Sequence, residues 1–397
     1  MSKGERWLTR NVLLISFSAF FADLGYQLVV ALIPVLLVLV LKAPAYVFGV
    51  FMSLSYGLGS LFAYLGGRLG DRYGKKRVVV LGNSLIPLLS LSGLPSTPLA
   101  SGLLFTAGWW SRNFRTPPRR ALLIESSSRS HASKVFGFLH ALDVGGGMIS
   151  VGLAVLLLVL GQPIYRVILL SIIPLIVSTL LLVFVDERKG ERVSGGPVDA
   201  GTVQAGKSNE RRRIFRVLLV SSMLFGLSSY SLGFPVITVS QTQHSYVYGA
   251  GTYGVFLGFS ALSGYVFGSR KLDEVKALSL LGYLLSALGT FAIGVNYLVH
   301  SGSLAYYGAA ALVGVGVGVT ETYEPSLTSH LVRITEESTG MGLLSAYRSL
   351  GLFIANTVMG VLFSVDQFYS YVFATVLALL ASVTLLVFTR RSVASHA

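Results

Sequence analysis

This chain predicts an all-α integral membrane protein, with twelve transmembrane helices in two pseudo-symmetric bundles of six. Three observations predict it. Only 12% of the 397 residues are charged while 53% are hydrophobic, apolar runs of span length recur from Asn11 to Phe388, and basic residues gather in alternate loops. A soluble domain carries about 25% charged residues. A chain this poor in charge must cover most of its surface with lipid. Helices suffice throughout, and they satisfy every backbone polar group inside a bilayer.

A span needs about 20 apolar residues. The runs place spans at 11–36, 46–66, 78–94, 99–120, 134–160, 164–185, 215–239, 249–269, 276–297, 303–329, 339–364 and 368–389. The first is too long for a signal peptide, contains Asp23 and lacks a small-residue cleavage site, so it is expected to stay as a span. Prolines fall inside spans at Pro34, Pro87, Pro174 and Pro235, and near span ends at Pro117, Pro118 and Pro325, where kinks are expected. The 44 glycines suit close helix–helix packing in lipid.

Lysine and arginine set the orientation. One side collects Lys3, Arg6 and Arg10, then Arg68, Arg72, Lys75, Lys76 and Arg77, then Arg119, Arg120, Arg129 and Lys134. It continues with the run from Arg188 to Arg216, Arg270 with Lys271, Arg333, and Arg390 with Arg391. The other side holds Lys42 and Arg166. Both termini are therefore expected in the cytoplasm of a multi-pass protein of the cytoplasmic membrane. The net charge of +14 then belongs to one membrane face, and a nucleic-acid partner is not expected.

The longest loop, Asp186 to Arg213, is rich in Gly, Ser and charge and reads as a flexible linker. It divides the chain into bundles at 1–185 and 215–397, with the linker at 186–214. The halves carry traces of a repeat. Gly137-Phe-Leu-His140-Ala-Leu-Asp143 in span 5 aligns with Gly342-Leu-Leu-Ser345-Ala-Tyr-Arg348 in span 11 at a constant offset of 205. Asp143 then falls opposite Arg348. Span 2 matches span 8 loosely, with Gly67 near Gly268.

The loop after span 2 carries the sharpest pattern: Gly67-Arg-Leu69-Gly-Asp71-Arg72-Tyr-Gly74-Lys75-Lys76-Arg77. Gly67 would let two helices approach closely and Gly74 would permit a tight turn. Asp71 places an anion among cations, suited to a helix N-terminus or an arginine. This spacing resembles the signature loop between helices 2 and 3 of the major facilitator superfamily. The resemblance implies a fold of two six-helix halves around a central cavity. It also implies that Gly67, Asp71, Arg72, Gly74, Lys75 and Lys76 form a gating latch of the outward-facing state. The equivalent stretch of the second half, Gly268-Ser-Arg270-Lys271-Leu-Asp273-Glu274, is degenerate. Arg115-Thr-Pro-Pro-Arg119-Arg120-Ala-Leu with Gly137 to Asp143 resembles a broad prokaryotic branch of the superfamily, which names no substrate.

Ionisable groups inside spans are costly and by default mark function. Here they are Asp23, Arg112, Arg115, His140, Asp143, Glu321, Glu324 and Arg348. By resemblance, spans 1, 4, 7 and 10 line the cavity and 2, 5, 8 and 11 flank it, and every one of these charges lies on such a span. The substrate and proton cavity is therefore assigned to Asp23, Arg112, His140, Asp143, Glu321 and Arg348. Bland alternatives stand beside it. Arg115 and Glu324 can snorkel to the interface, Arg112 can pair structurally with Asp143, and Glu321 between Thr320 and Thr322 can be held by helix-to-helix hydrogen bonds. Asp23 and Asp143 are the stronger candidates, because a carboxylate held away from water can take and release a proton. His140, one turn from Asp143, can extend a proton path or serve as a packing histidine. Tyr230, Tyr246, Tyr248 and Tyr253 can stack on a ligand, or belong in part to an interfacial aromatic belt.

The expected activity is secondary active transport of a small solute by alternating access, coupled to protons. A proton-independent facilitator of a small organic ion remains open, as does a non-transporting receptor or scaffold. Span 5 has Gly145-Gly146-Gly147 but no proline, and so lacks the Gly-Pro motif of drug–proton antiporters in the superfamily. With no cysteine, no Walker loop, no metal-ligand spacing and no nucleophile beside a base, the sequence calls for no cofactor and no enzyme, and a monomer is expected.

Overall fold

The computed structural model describes residues 7–127, 132–186, 205–228, 232–268, 272–332 and 337–394, and these are helical with short connections. The helices are α1 (Arg10–Pro34), α2 (Ala45–Met52), α3 (Gly59–Tyr73), α4 (Lys75–Leu85), α5 (Leu88–Leu91), α6 (Pro98–Glu125), α7 (Ala132–Val159), α8 (Ile164–Leu170) and α9 (Ile172–Val183). They continue as α10 (Ala205–Ser228), α11 (Gly233–Thr242), α12 (Tyr246–Gly268), α13 (Glu274–Lys276), α14 (Leu285–Leu298), α15 (Ser303–Leu331), α16 (Glu337–Val365) and α17 (Gln367–Ala394). Wider π-helical turns extend α1 at Val35–Val40, follow α2 at Ser53–Gly57 and precede α14 at Ala277–Leu284. The first follows Pro34, whose missing N–H removes a rung of the ladder.

Among the described residues, nine helical stretches are long and apolar enough to cross a membrane. The other expected spans are helical too, but each has a local reason to read weakly. The stretch after Gly74 is broken near Pro87 into α4 and α5. Arg112, Arg115, Arg119 and Arg120 dilute α6, and glycines dilute α12. The linker was expected to reach residue 214, yet α10 already starts at Ala205, with 187–204 outside the described residues.

The chain forms two compact units, with boundaries at Ala43/Pro44, Ser53/Leu54 and Gly195/Gly196. The sequence did not suggest that Pro44–Ser53 belongs to the second unit. There, α2 packs on α16: a Cβ on Gly49 would lie 2.3 Å from the Asn356 carbonyl oxygen, Ser53 and Thr357 hydroxyls are 2.8 Å apart, and Phe48 is fully buried beside Phe234.

Each unit buries its own apolar core. In the first, Val12, Ile15 and Ala19 of α1 meet Val79, Leu122, Leu139 and Leu182. In the second, Leu218 and Phe225 of α10 meet Tyr283, Val319, Ala381 and Leu385. Inside those cores the sequence repeat becomes geometric. Gly146 of α7 packs against the Phe20 carbonyl and Leu24 amide of α1, and Gly351 of α16 packs against the Met223 carbonyl and Leu227 amide of α10. The offset is 205 for the glycines and 203 for the partners. Gly67 faces Pro117 and Gly268 faces Thr322 in the same way. Elsewhere the glycine changes sides, with Gly59 against Asn113 in one unit and Gly318 against Ser260 in the other. Close approach needs one small residue per contact, and either helix can supply it.

Candidate functional site

The first unit concentrates charge along one side of α6. Arg112, Arg115 and Arg119 sit at i, i+3 and i+7, so they share a helix face. Arg115 is 1% and Arg119 4% exposed. Facing Arg112 on α1 are Asp23, also buried, and Tyr26, one turn apart. The Tyr26 hydroxyl donates to Asp23 Oδ1 and accepts from Arg112 Nη2 at 3.1 Å. The Arg112 guanidinium also lies over two rings, 4.7 Å from the Tyr26 centroid and 4.8 Å from that of Trp109. Cation–π contact of this kind offsets part of the cost of burying a cation. Trp109 in turn leans on Tyr56 and Phe105.

Arg115 donates to Asn83 Oδ1 of α4, and the Asn83 amide nitrogen donates to Ser178 and Thr179 of α9 at 3.1 and 2.8 Å. Snorkelling is therefore not its arrangement. Arg119 approaches Asp143 of α7 with Nη2 3.6 Å from Oδ2. Arg112 is thus not the ion-pair partner of Asp143, although its field reaches that carboxylate. His140 is exposed one turn before Asp143.

The second unit holds the matching arrangement with charges exchanged. Arg348 of α16 places Nη2 2.7 Å from Glu321 Oε1 and Nη1 3.4 Å from Glu324 Oε2, both on α15. The Tyr283 hydroxyl donates to Glu324 Oε1 at 2.7 Å and stacks on Phe225, above which Arg348 also lies. Glu324 is 1% exposed, so it too does not snorkel, whereas the Glu321 side chain is 59% exposed. Glu321 is held by an ion pair rather than by neighbouring threonines. At the offset of 205, Arg119 maps onto Glu324 as Asp143 maps onto Arg348. The two ion pairs join equivalent helices with opposite polarity.

Sequence reasoning put Arg119 among loop cations and missed Tyr26, Asn83 and Tyr283. Extending the 205 register from span 5 back to span 4 would have found Arg119, since it lands on Glu324. Nothing in the sequence separates Tyr26 or Tyr283 from other span tyrosines. Of the tyrosines singled out, Tyr253 is buried against Phe256, Tyr246 and Tyr248 are exposed, and Tyr230 lies outside the described residues.

The loop after α3 turns at Gly74, whose φ is +99°. A side chain there would be strained. Gly67 is less demanding than expected: its Cβ would sit 3.6 Å from Pro117, an ordinary contact. The close approach is made by Gly66, whose Cβ would fall 1.8 Å from the Phe114 carbonyl oxygen, and by Gly70, 2.8 Å from Pro118. Gly67, Arg68 and Asp71 line an open groove with Ala63, Tyr64 and Pro117. Lys75 pairs with Glu125, and the exposed Arg72 lies over Tyr73. Among the described residues no three His, Asp or Glu gather as a metal site.

The model of the Major Facilitator Superfamily matches residues 15–355. The chain belongs to that superfamily. Relatives agree over most of its length. An uncharacterized MFS-type transporter of Methanocaldococcus jannaschii is 24% identical, covering 97% of this chain and 96% of its own. Multidrug resistance protein 2 of Bacillus subtilis is 23% identical, over 82% and 85%. Among solved structures, a POT family transporter in complex with 5-aminolevulinic acid superposes with a TM-score of 0.78 at 14% identity, covering 98% of both chains. A nucleoside transporter superposes with 0.72 at 11% identity, covering 97% and 99%. These superpositions show the superfamily fold. The chain is accordingly a multi-pass membrane transporter of this superfamily.

Proposed function

We propose that this transporter moves a small solute across the cytoplasmic membrane by alternating access, coupled to protons at Asp23. The observation that carries the reading is the buried Asp23–Tyr26–Arg112 group. A carboxylate removed from water is stable either neutral or next to a positive charge. While Arg112 stays close, Asp23 can remain ionised. When Arg112 is drawn to a solute or shifted by the conformational change, Asp23 takes a proton. Tyr26 bridges the two groups and passes the consequence from one to the other. Differential contact of this sort is what allows a ligand to shift a conformational equilibrium.

Asp143 becomes part of an ion pair with Arg119, matched by Arg348 with Glu321 and Glu324 in the second unit. We assign the Arg348 pair to holding the second bundle's flanking helix, with Asp71, Arg72 and the turn at Gly74 as the gating loop. Both termini face the cytoplasm, from the basic loops, and a monomer with twelve spans is the working unit.

The Bacillus relative's name points to drugs as a solute class, while span 5 lacks the antiporter Gly-Pro motif. A thermal-stabilisation screen of purified protein against metabolites, organic ions and drugs identifies a solute without assuming one. The test of coupling is Asp23→Asn: proton movement driven by that solute disappears and solute exchange persists. Coupled proton movement in Asp23→Asn defeats the assignment to Asp23 and places coupling elsewhere, while solute exchange with no proton movement in wild type leaves the facilitator alternative.

A further inference from the structure

The buried and half-buried charges between the helices of the first unit do not balance. Arg112, Arg115 and Arg119 stand against Asp23 and Asp143, and the five groups interact: Asp23 feels Asp143, Arg112 and Arg119, and Arg115 feels both other arginines. Exposed Arg120 adds to the same positive field. Arg115 is met by a neutral amide, Asn83. Arg119 is less well served still. Its contact with Asp143, at 3.6 Å, is longer than a hydrogen bond, and its Nε and Nη1, like Asp143 Oδ1, have no partner. The mate in the second unit, Arg348 with Glu324 at 3.4 Å, is also loose, but its groups are otherwise served: Arg348 reaches Glu321 at 2.7 Å and Glu324 has Tyr283 on its other oxygen.

We propose that Arg119 is the seat of a small oxyanion, a carboxylate or phosphate group, which binds by taking the place of Asp143. Guanidinium holds such groups through two parallel N–H bonds. Both of its forks, Nε with Nη2 and Nη1 with Nη2, include the nitrogen that faces Asp143. An oxyanion that displaces Asp143 therefore gains a two-point contact that the resident carboxylate does not make. Access is from the side of Asp143, which is 24% exposed and lies beside exposed His140. The excess positive charge favours a ligand bringing one negative charge or more. This deepens the transporter reading by assigning an anionic group to its ligand, and its test does not require transport.

The full-length protein in neutral, lipid-free detergent is titrated with inorganic phosphate and with acetate, at ionic strength held constant with chloride, while thermal stability is recorded. Saturable stabilisation is expected for wild type. Arg119→Lys, which keeps the charge and loses the fork, binds at least about tenfold more weakly. Asp143→Asn, which removes the competitor, binds at least about tenfold more tightly. A merely structural ion pair would weaken in both. Should Arg119→Lys fail to fold, Asp143→Asn alone decides. No stabilisation beyond chloride by the soluble anions and none by phosphatidylglycerol, or weaker binding in Asp143→Asn, overturns the proposal. A parallel titration with phosphatidylglycerol vesicles separates the sources: response to the soluble anions names a solute, and response to the lipid alone names a headgroup at the same seat.

Discussion

Three consecutive glycines in α7 have different neighbours and should respond to alanine in opposite directions. A Cβ at Gly146 would lie 2.4 Å from the Phe20 carbonyl oxygen. To reach even 3.0 Å, α1 and α7 must part by about 0.6 Å at this crossing. Overpacking of this kind costs about 1–3 kcal/mol. Alanine returns about 1 kcal/mol in helix propensity. At Gly145 nothing lies within 4 Å, so only the gain remains, and at Gly147 the nearest atom is 3.4 Å away on the flexible Gln27 side chain. Gly145→Ala should therefore be stabilised, Gly147→Ala close to neutral, and Gly146→Ala less stable than Gly145→Ala by about 1–3 kcal/mol. Gly351→Ala should repeat the Gly146 result, because its Cβ meets the Met223 carbonyl oxygen at 2.4 Å. Melting curves of the purified variants in one detergent supply the ranking. Equal destabilisation at 145 and 146 would refute the packing argument.

Other consequences follow from the charged groups. Arg348→Leu leaves Glu324 buried and uncompensated, and should destabilise by about 3–5 kcal/mol. The double variant with Glu324→Leu should be less damaged than the sum, as a double-mutant melting cycle would show. Asn83→Ala strips Arg115 of its acceptor and should cost about 1–3 kcal/mol in the same assay. Tyr26→Phe keeps the ring under Arg112 but deletes the bridge to Asp23, so it should cost about 1–3 kcal/mol in melting and change the pH dependence of solute uptake; an unchanged pH profile would remove Tyr26 from the coupling group. Gly74→Ala forces a side chain to φ +99° and should lower stability by about 1–3 kcal/mol, checked by melting.

Much of this molecule was legible because a bilayer imposes strong rules. Length, apolarity and basic loops pointed to helices, and Asp71 with Gly74 sat in a pattern specific enough to suggest the superfamily. Hydropathy failed where a span carries charge, since α6 holds Arg115 and Arg119 buried and Arg112 half-buried, which makes it read as a weak span with a charged end. That is why Arg119 was taken for a loop residue. Pairings were harder still. Charge alone allowed Arg112 to serve either Asp23 or Asp143, and only the rotation of α6 against α1 and α7 gives Arg112 to Tyr26 and Arg119 to Asp143. Glycine roles were similarly ambiguous, because Gly66, Gly67 and Gly70 are equivalent on paper and differ by which one faces Phe114 and Pro118. The repeat register was the strongest unused signal, since one number, 205, links both ion pairs and both packing glycines.

Coupled transport at Asp23 is tested most directly in proteoliposomes holding a pH dye, once the stabilisation screen has supplied a solute. Wild type should move protons when the solute is added. Asp23→Asn should exchange labelled solute across the membrane without any proton signal. Proton movement of wild-type size in Asp23→Asn would contradict the account.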